Sequence, residues 1–437
     1  KLESADIAID AVSGATVTSN AAKLALSQVL LEAAGKTAVE PRLKDGEYAA
    51  EAWGFSLTTP LSVSVKIEGG KLAAIVPDVE NGGETDQIIA TAIENMIPRI
   101  LQEQSLAVDA VSGATSSSNA IKTAVRDCLE QAMAAAGMSD ADIAIAINAF
   151  YKAPSYLKTD AQPVEIHTGV LVVGAGGSGS LAALEAANLG ADTLVIETSA
   201  KYGGTSALTC GPMAVNSPEQ VAMNGGGDLV DEDLLLSTWF ADARVEKGSV
   251  RDDIITYFSA LSGYNIDWMA EQGFEKFTLA IPFKYPQFRV WTMYPGWNAG
   301  KVHGAGLTHG YFNNIMQRYA ELGGKTMFET TGEELLLDGS GNVLGVKAVG
   351  YDGQVYHIYA DAVVIATGGY AGNEEMLVEY TKSDEVGAYQ AYGVTTNRGT
   401  SIVMGKQVDA KLADNIDIVM AHFSAPSKRI HLFDAVY

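Results

Sequence analysis

From residue 62 the chain alternates. Val63, Val65 and Ile67 are apolar at every second position of Ser62-Val-Ser-Val-Lys-Ile67, the period of a strand with one buried face. Gly69-Gly70 then offers a two-residue turn, and Leu72 to Val76 runs back as the partner strand, so a hairpin is predicted, with Asp45-Gly-Glu-Tyr48 leading in. Past residue 115 the period changes. Ile121, Val125, Cys128 and Ala132 fall at spacings of three and four, one apolar face of a helix that Gly137 would cap. Ala22, Leu26, Val29 and Ala33 repeat that phase, with Gly35 in the place of the cap. Residues 138–165 are mixed and partly polar and read as a linker. Beyond them Val170-Leu-Val-Val173 is a continuous apolar run, Leu181 to Gly190 reads as a helix and Thr193 to Ile196 as a second strand. Leu335 to Val349 reads as a hairpin around Asp338-Gly339, and Ala362-Val-Val-Ile365 as a buried strand. Small sheet-plus-helix units followed by strands alternating with helices predict an α/β chain with a minor α+β part.

The helix after residue 115 and its earlier counterpart belong to a repeat. Asp10-Ala-Val-Ser-Gly-Ala-Thr16 recurs letter for letter as Asp109-Ala-Val-Ser-Gly-Ala-Thr115, at an offset of 99 residues. Ser19-Asn20-Ala21 and Lys23 return as Ser118-Asn119-Ala120 and Lys122 at the same offset. Each copy enters a helix, so Ser112, Gly113, Ala114 and Thr115 sit in the turn at its N-terminus. Small residues there let backbone N–H groups approach a phosphate, and the helix dipole favours its charge. On the residues alone each Thr reads as a helix N-cap.

A second phosphate-type loop follows the first strand of the larger unit. Gly174-Ala-Gly176-Gly177-Ser178-Gly179 succeeds a strand, opens a helix and has an acid, Glu197, 23 residues after Gly174. That full context makes it a dinucleotide fingerprint: the first Gly turns tightly, the second admits a pyrophosphate, the third allows close helix packing, and Glu197 accepts from ribose hydroxyls.

The net charge of −24 over 437 residues argues against nucleic acid and anionic membrane surfaces as partners. The length predicts two to four domains. Cys128 and Cys210 are the two cysteines, without a CxxCH or CxxC pattern, so any electron transfer is expected to use organic cofactors. No apolar run reaches the roughly 18 residues of a membrane helix.

On these motifs, the repeated units resemble the FMN-binding domain family, including flavin-carrying subunits of sodium-pumping quinone reductases. In that family a transferase joins FMN by a phosphoester to the Thr of D-x-x-S-G-A-T, which implies covalent FMN on Thr115 and Thr16. After the fingerprint, Tyr202-Gly203-Gly204-Thr205-Ser206, then Gly211, and finally Ala366-Thr367-Gly368-Gly369 stand in the order of the FAD-dependent fumarate and urocanate reductase family, the flavocytochrome c and succinate dehydrogenase flavoprotein type. The resemblance implies a Rossmann-like, glutathione-reductase-type FAD-binding domain, with the Gly203 to Ser206 segment along the pyrophosphate and flavin and the Ala-Thr-Gly strand backing the cofactor. The expected division is the C-terminal part of a first FMN-binding unit over 1–37, a second FMN-binding domain over 40–137, a linker over 138–165, an FAD-binding domain over 166–420 and the start of a capping domain over 421–437.

The implied function is reduction of an α,β-unsaturated carboxylate such as fumarate, urocanate or a cinnamate-like acid. Electrons would enter at FMN from a membrane or extracellular donor, outside the cytoplasm of a bacterium. Two competitors are an FMN-based electron carrier without enoate turnover and a ketosteroid-dehydrogenase-like enzyme. By the same resemblance His422 is the substrate-binding residue. The proton donor would follow residue 437, and Arg429 comes too soon after His422 to be it. His303 and His309 read as structural. The sequence departs from the family at Asn397-Arg-Gly-Thr-Ser401, where reductases usually show Gly-Asp-Gly, and at Pro212, where a Gly is common.

Overall fold

The computed structural model describes residues 39–412 apart from 57, 85, 113, 159–161, 210, 248–251, 284, 293, 295–304 and 382–395. The described chain opens with a three-stranded antiparallel sheet of β1 (Gly46–Ala52), β2 (Leu61–Glu68) and β3 (Lys71–Pro77), in that order. The two-residue period holds along β2: Leu61, Val63, Val65 and Ile67 are all buried. Gly69 and Gly70 take φ of 60° and 72°, left-handed at both central positions of the turn as a tight hairpin requires. The Asp45 carboxylate accepts from both of their N–H groups at 2.9 Å, tying the chain ahead of β1 to the far end of its partner hairpin.

Helices α1 (Asp86–Glu103) and α2 (Thr115–Ala135) cover this sheet. The predicted face of α2 is the buried one, since Ile121, Val125, Cys128 and Ala132 have no exposed surface. Gly137, at φ 79°, closes the helix as a left-handed cap, its N–H donating to Ala134.

The expected linker over 138–165 is corrected at both ends. Helix α3 (Asp140–Ala146) and a 3-10 turn (Ile147–Tyr151) bury Ile143, Ala146, Ile147 and Phe150 in the same core as α2. Each piece is too short for its apolar spacing to stand out against its polar residues. Ser139 starts α3 as an N-cap, its Oγ accepting from the Asp142 N–H. At the other end β4 (Val164–Val173) has already begun.

The larger unit is a six-stranded sheet. Its strands are β4, β5 (Thr193–Ile196), β8 (Lys325–Met327), β9 (Thr330–Leu337), β10 (Val343–Gly350) and β11 (Val355–Ile365), in the order β8-β5-β4-β11-β10-β9. The first four of that order are parallel and the last three form an antiparallel meander. Between β5 and β8 run α5 (Pro218–Met223), α6 (Glu232–Lys247), α7 (Asp252–Glu271), the hairpin of β6 (Ile281–Phe283) and β7 (Tyr285–Trp291), and α8 (Ala305–Glu321). One sheet face packs Val172 and Val195 against Ala183, Leu184 and Ala187 of α4 (Gly177–Asn188) and Ile315, Met316 and Tyr319 of α8. The opposite face gathers Leu171, Val173, Leu194, Ile196 and Ile358 with Met404 of α10 (Thr400–Gln407), which follows α9 (Glu374–Thr381).

The Ala362–Ile365 run is a strand end but not a buried one. It pairs with Val170–Val173 of β4, while the pairing of β11 with β10 stops at Tyr359. The end of the strand therefore projects past the meander with one paired edge among the described residues, and Ile365 is 37 % exposed.

Candidate functional site

Two helix starts carry the candidate chemistry. The first is the loop Asp109–Ala114 before α2. Thr115 does not cap this helix: the cap position is Ala114, no side chain caps it, and Thr115 is the first helical residue, half-buried. The first turn therefore presents backbone N–H groups with no acidic side chain among them, at the positive end of a 21-residue helix.

The loop is held by side chains of its own helix. Ser118 Oγ accepts from the Val111 N–H at 3.2 Å, and Lys122 Nζ donates to the Val108 carbonyl at 2.7 Å. Lys122 is buried, and desolvation lowers its pKa to about 8 against the opposing pull of Asp109. Ser118 and Lys122 are among the residues that recur as Ser19 and Lys23, so the repeat preserves the residue types of the brace as well as the motif. Sequence reasoning missed Glu84. Its buried carboxylate accepts from the Phe55 N–H at 2.7 Å and from the Ser117 hydroxyl on the first turn of α2. A Cβ at Gly54 would overlap that carboxylate, and this small residue is the one trace Glu84 leaves in the pattern. Gly113, Thr16 and the rest of 1–37 lie outside the described residues.

The second helix start is the fingerprint between β4 and α4. Gly174 has φ 103°, and a Cβ there would meet the Ala366 carbonyl oxygen at 2.5 Å. A Cβ on Gly179 would overlap the Gly174 carbonyl and lie 3.1 Å from the Ala366 methyl. These two glycines thus press strand, helix and the Ala366-Thr-Gly turn together. Gly177 faces the Ser206 hydroxyl, 2.6 Å from where a Cβ would stand. Gly176 differs, because nothing lies within 4 Å of its Cβ position: this is the open side, where backbone can approach a pyrophosphate. Ser178, on the first turn of α4, is exposed.

Glu197 sits at the end of β5, and both carboxylate oxygens are engaged by backbone. Oε2 accepts from Ala175 N–H and Oε1 from Ser199 N–H, each at 2.7 Å. Burial pushes its pKa up, with those two donors opposing the rise. The expected ribose acceptor is therefore also the clamp on the fingerprint loop, and contact with a ribose would use the lone pairs left on the same oxygens.

The remaining predicted segments come to this point. Gly203 N–H donates to the Ala175 carbonyl at 2.8 Å, and Gly203 and Gly204 both take positive φ. Gly368, at φ 73°, lies against Asn397, whose Nδ2 donates to Thr205 Oγ1 at 3.0 Å. Ser401 Oγ donates to the Gly368 carbonyl at 3.1 Å, and Gly399 N–H to the Gly369 carbonyl at 3.0 Å. The Asn397–Ser401 segment, which departs from the family pattern, thus packs directly on the Ala-Thr-Gly turn. Gly211 and Pro212 are tied to β7: Trp291 Nε1 donates to the Gly211 carbonyl, and Thr292 donates to Pro212 through both its N–H and its hydroxyl.

Three features fit an FAD at this place: the open Gly176, a first turn of α4 without acidic side chains, and the buried Thr367 hydroxyl, which has no partner among the described residues. His422, Arg429, Cys210 and His303 lie outside the described residues, as does 421–437, and the His309 side chain is not described. Among the described residues no His, Cys, Asp and Glu cluster could hold a metal ion, and no helix is long and apolar enough to cross a membrane.

Residues 169–425 match the family model described as FAD binding domain, and residues 54–130 that described as FMN-binding domain. Urocanate reductase of Eggerthella lenta is 29 % identical over 359 residues, covering 81 % of this chain and 54 % of its own length. NADH:fumarate oxidoreductase of Klebsiella pneumoniae is 27 % identical over 362 residues, covering 81 % of this chain and 34 % of its own length. The chain thus spans about half or less of the relatives it matches. Among solved structures, the open conformation of a flavocytochrome c3 fumarate reductase superposes with a TM-score of 0.50 at 25 % identity, over 61 % of this chain and 45 % of that one. Its fold, its fingerprint and its matched span place the chain in the FAD binding domain family, with an FMN-binding domain ahead of it.

Proposed function

We propose that this chain is the flavin-carrying part of a reductase that saturates a C=C bond conjugated to a carboxylate. Bound FMN would supply a redox group for electron entry, and bound FAD a hydride donor to the substrate. The observation that carries this reading is the presence of two helix-start sites in one chain: one with a half-buried threonine at the first helical position, one open at Gly176. Thr115 would be esterified by the FMN phosphate, whose charge the first-turn N–H groups of α2 receive. Thr16 would take a second FMN in the preceding unit. Gly174, Gly176, Gly177, Ser178 and Gly179 would admit the FAD pyrophosphate, and Gly203 to Ser206, Gly211, Thr367 and Gly368 would line its flavin side. Glu197 would hold the ribose while clamping the loop. The substrate carboxylate would be bound by His422.

The relatives' names support fumarate and urocanate as the substrate class. The maturation partner would be a flavin transferase, and the electron donor a membrane-bound or extracellular protein outside the cytoplasm. The test is the intact mass of the denatured full-length protein with peptide mapping, followed by anaerobic turnover of fumarate, urocanate and cinnamate. FMN-sized adducts on the Thr16 and Thr115 peptides together with enoate-dependent reoxidation are expected. Adducts without enoate turnover would replace this reading with an electron carrier.

A further inference from the structure

Arg99, near the end of α1, crosses from the FMN-binding domain to the FAD-binding domain. Its Nη1 donates to Glu329 Oε1 at 3.0 Å and its Nη2 to Oε2, a two-pronged pair that fits the planar fork of arginine and not the point charge of lysine. The two side chains are only 16 % and 13 % exposed. The guanidinium carbon stands 3.9 Å over the centre of the Tyr351 ring, and Tyr156 packs against the same ring. Glu329 itself, in the turn between β8 and β9, has φ 48°, a left-handed conformation that non-glycine residues seldom adopt. Its backbone is pinned on both sides: its N–H donates to the Ser199 carbonyl and its carbonyl accepts from Tyr351 N–H.

Ser199 N–H donates to Glu197, and Glu197 also holds Ala175 of the fingerprint. A contiguous run of hydrogen bonds therefore leads from α1 of the small domain to the loop that would receive the dinucleotide. The surrounding contacts reinforce it. Ala200 packs on the first domain's core, Glu103 accepts from the Ser155 N–H and hydroxyl, and Lys158 is bound to Asp352 through its backbone and its ammonium.

We propose that Arg99, locked onto Glu329 and Tyr351, is the positioning residue for electron passage between the two flavin sites, holding the FMN-binding domain at one place on the FAD-binding domain. This rests on the two-flavin reading above. With both flavins bound, two electrons would pass from the FMN site to the FAD site, with protons exchanged with solvent, and Arg99 would keep the separation of the sites from varying.

The test uses the full-length flavinylated protein and its Arg99→Gln, Arg99→Lys and Arg99→Glu/Glu329→Arg variants. Reduced anaerobically and mixed with fumarate or urocanate, the wild type should reoxidise in two phases, the second reporting transfer from FMN to FAD. Arg99→Gln is expected to slow the second phase tenfold or more while leaving the first unchanged. Arg99→Lys should fall between, and the exchanged pair should recover part of the rate. A flavin-independent readout is tryptic cleavage at Lys152 and Lys158, which should quicken several-fold in Arg99→Gln. Should Arg99→Gln fail to fold, seen as loss of FAD and of a cooperative melting transition, Arg99→Lys carries the same comparison. A second phase at the wild-type rate, or unchanged cleavage, overturns the proposal. A wild type with no FMN or a single phase would instead overturn the two-flavin reading, and the cleavage comparison would still decide the lock.

Discussion

The two helix starts do related jobs by opposite means. The loop before α2 is shaped from behind by side chains of the helix it opens, Ser118 and Lys122, with Glu84 supporting the first turn. The loop before α4 is shaped by the side chains it lacks: Gly174 and Gly179 let Ala366 and the helix close in, and Glu197 from the next strand clamps it. The first is nearly self-contained within Val108 to Lys122, so it can be copied whole as a short motif. The second exists only where strands and turns from distant parts of the chain meet.

Substitutions at each can break or sharpen that contrast. The largest effect is expected from Gly179→Ala, whose methyl overlaps the Gly174 carbonyl backbone. Overpacking of this kind costs about 1–3 kcal/mol, and a similar loss in the site would weaken FAD binding about tenfold or more. Cofactor release on denaturation should show FAD lost and FMN kept; the reverse pattern would sink the assignment. Next is Thr115→Val, which should delete one FMN adduct outright from the intact mass while FAD content is unchanged. Because Thr115 caps nothing, the melting free energy should move by no more than about 0.5 kcal/mol.

Glu197→Gln replaces an acceptor-only clamp by an amide that can accept from Ala175 or Ser199 on one atom but not on both. A stability loss of about 1–3 kcal/mol is expected in chemical denaturation, with weakened FAD retention. A neutral result would mean that the clamp is dispensable.

A pH dependence is also expected. Lys122 keeps its proton up to about 8 when folded, against 10.5 for the ordinary side chain. The unfolded chain therefore binds more protons across that window, so its contribution to stability rises as pH climbs from 8 to 10.5, and the penalty is present in full below 8. At about 1.4 kcal/mol per unit the gain is capped near about 3 kcal/mol. Above about 9 the buried Cys128 thiol, pushed up to about 11, works in the opposite sense. The difference between wild type and Lys122→Met in pH-dependent melting isolates the lysine; parallel curves would remove it from the account.

What was legible before the fold was known follows from range. The β2–β3 hairpin, the buried face of α2 and the Gly137 cap are set by residues within a few positions of one another, and all appear where the pattern puts them. The helices of 140–151 were hidden because pieces this short show too few turns for a period. Ala362–Ile365 was read as buried because an apolar run reports composition and not which neighbours are present. Glu84 and Asn397 act at long range: one holds Ser117 from 33 positions away, the other meets Thr205 from 192 positions past it.

By itself the sequence determined the repeated Ser-Gly-Ala-Thr motif, the strand-loop-helix of the fingerprint and the glycines of both, because these depend on backbone freedom and on spacing along one segment. Only the tertiary structure decided that Glu197 clamps the loop it serves, that Asn397 meets Thr205 beside the Ala-Thr-Gly turn, and that Arg99 locks one domain to the other. Each of those is a pairing of polar groups far apart in the chain, and hydrogen-bond geometry is specified by folded distance, which no local pattern of residues encodes.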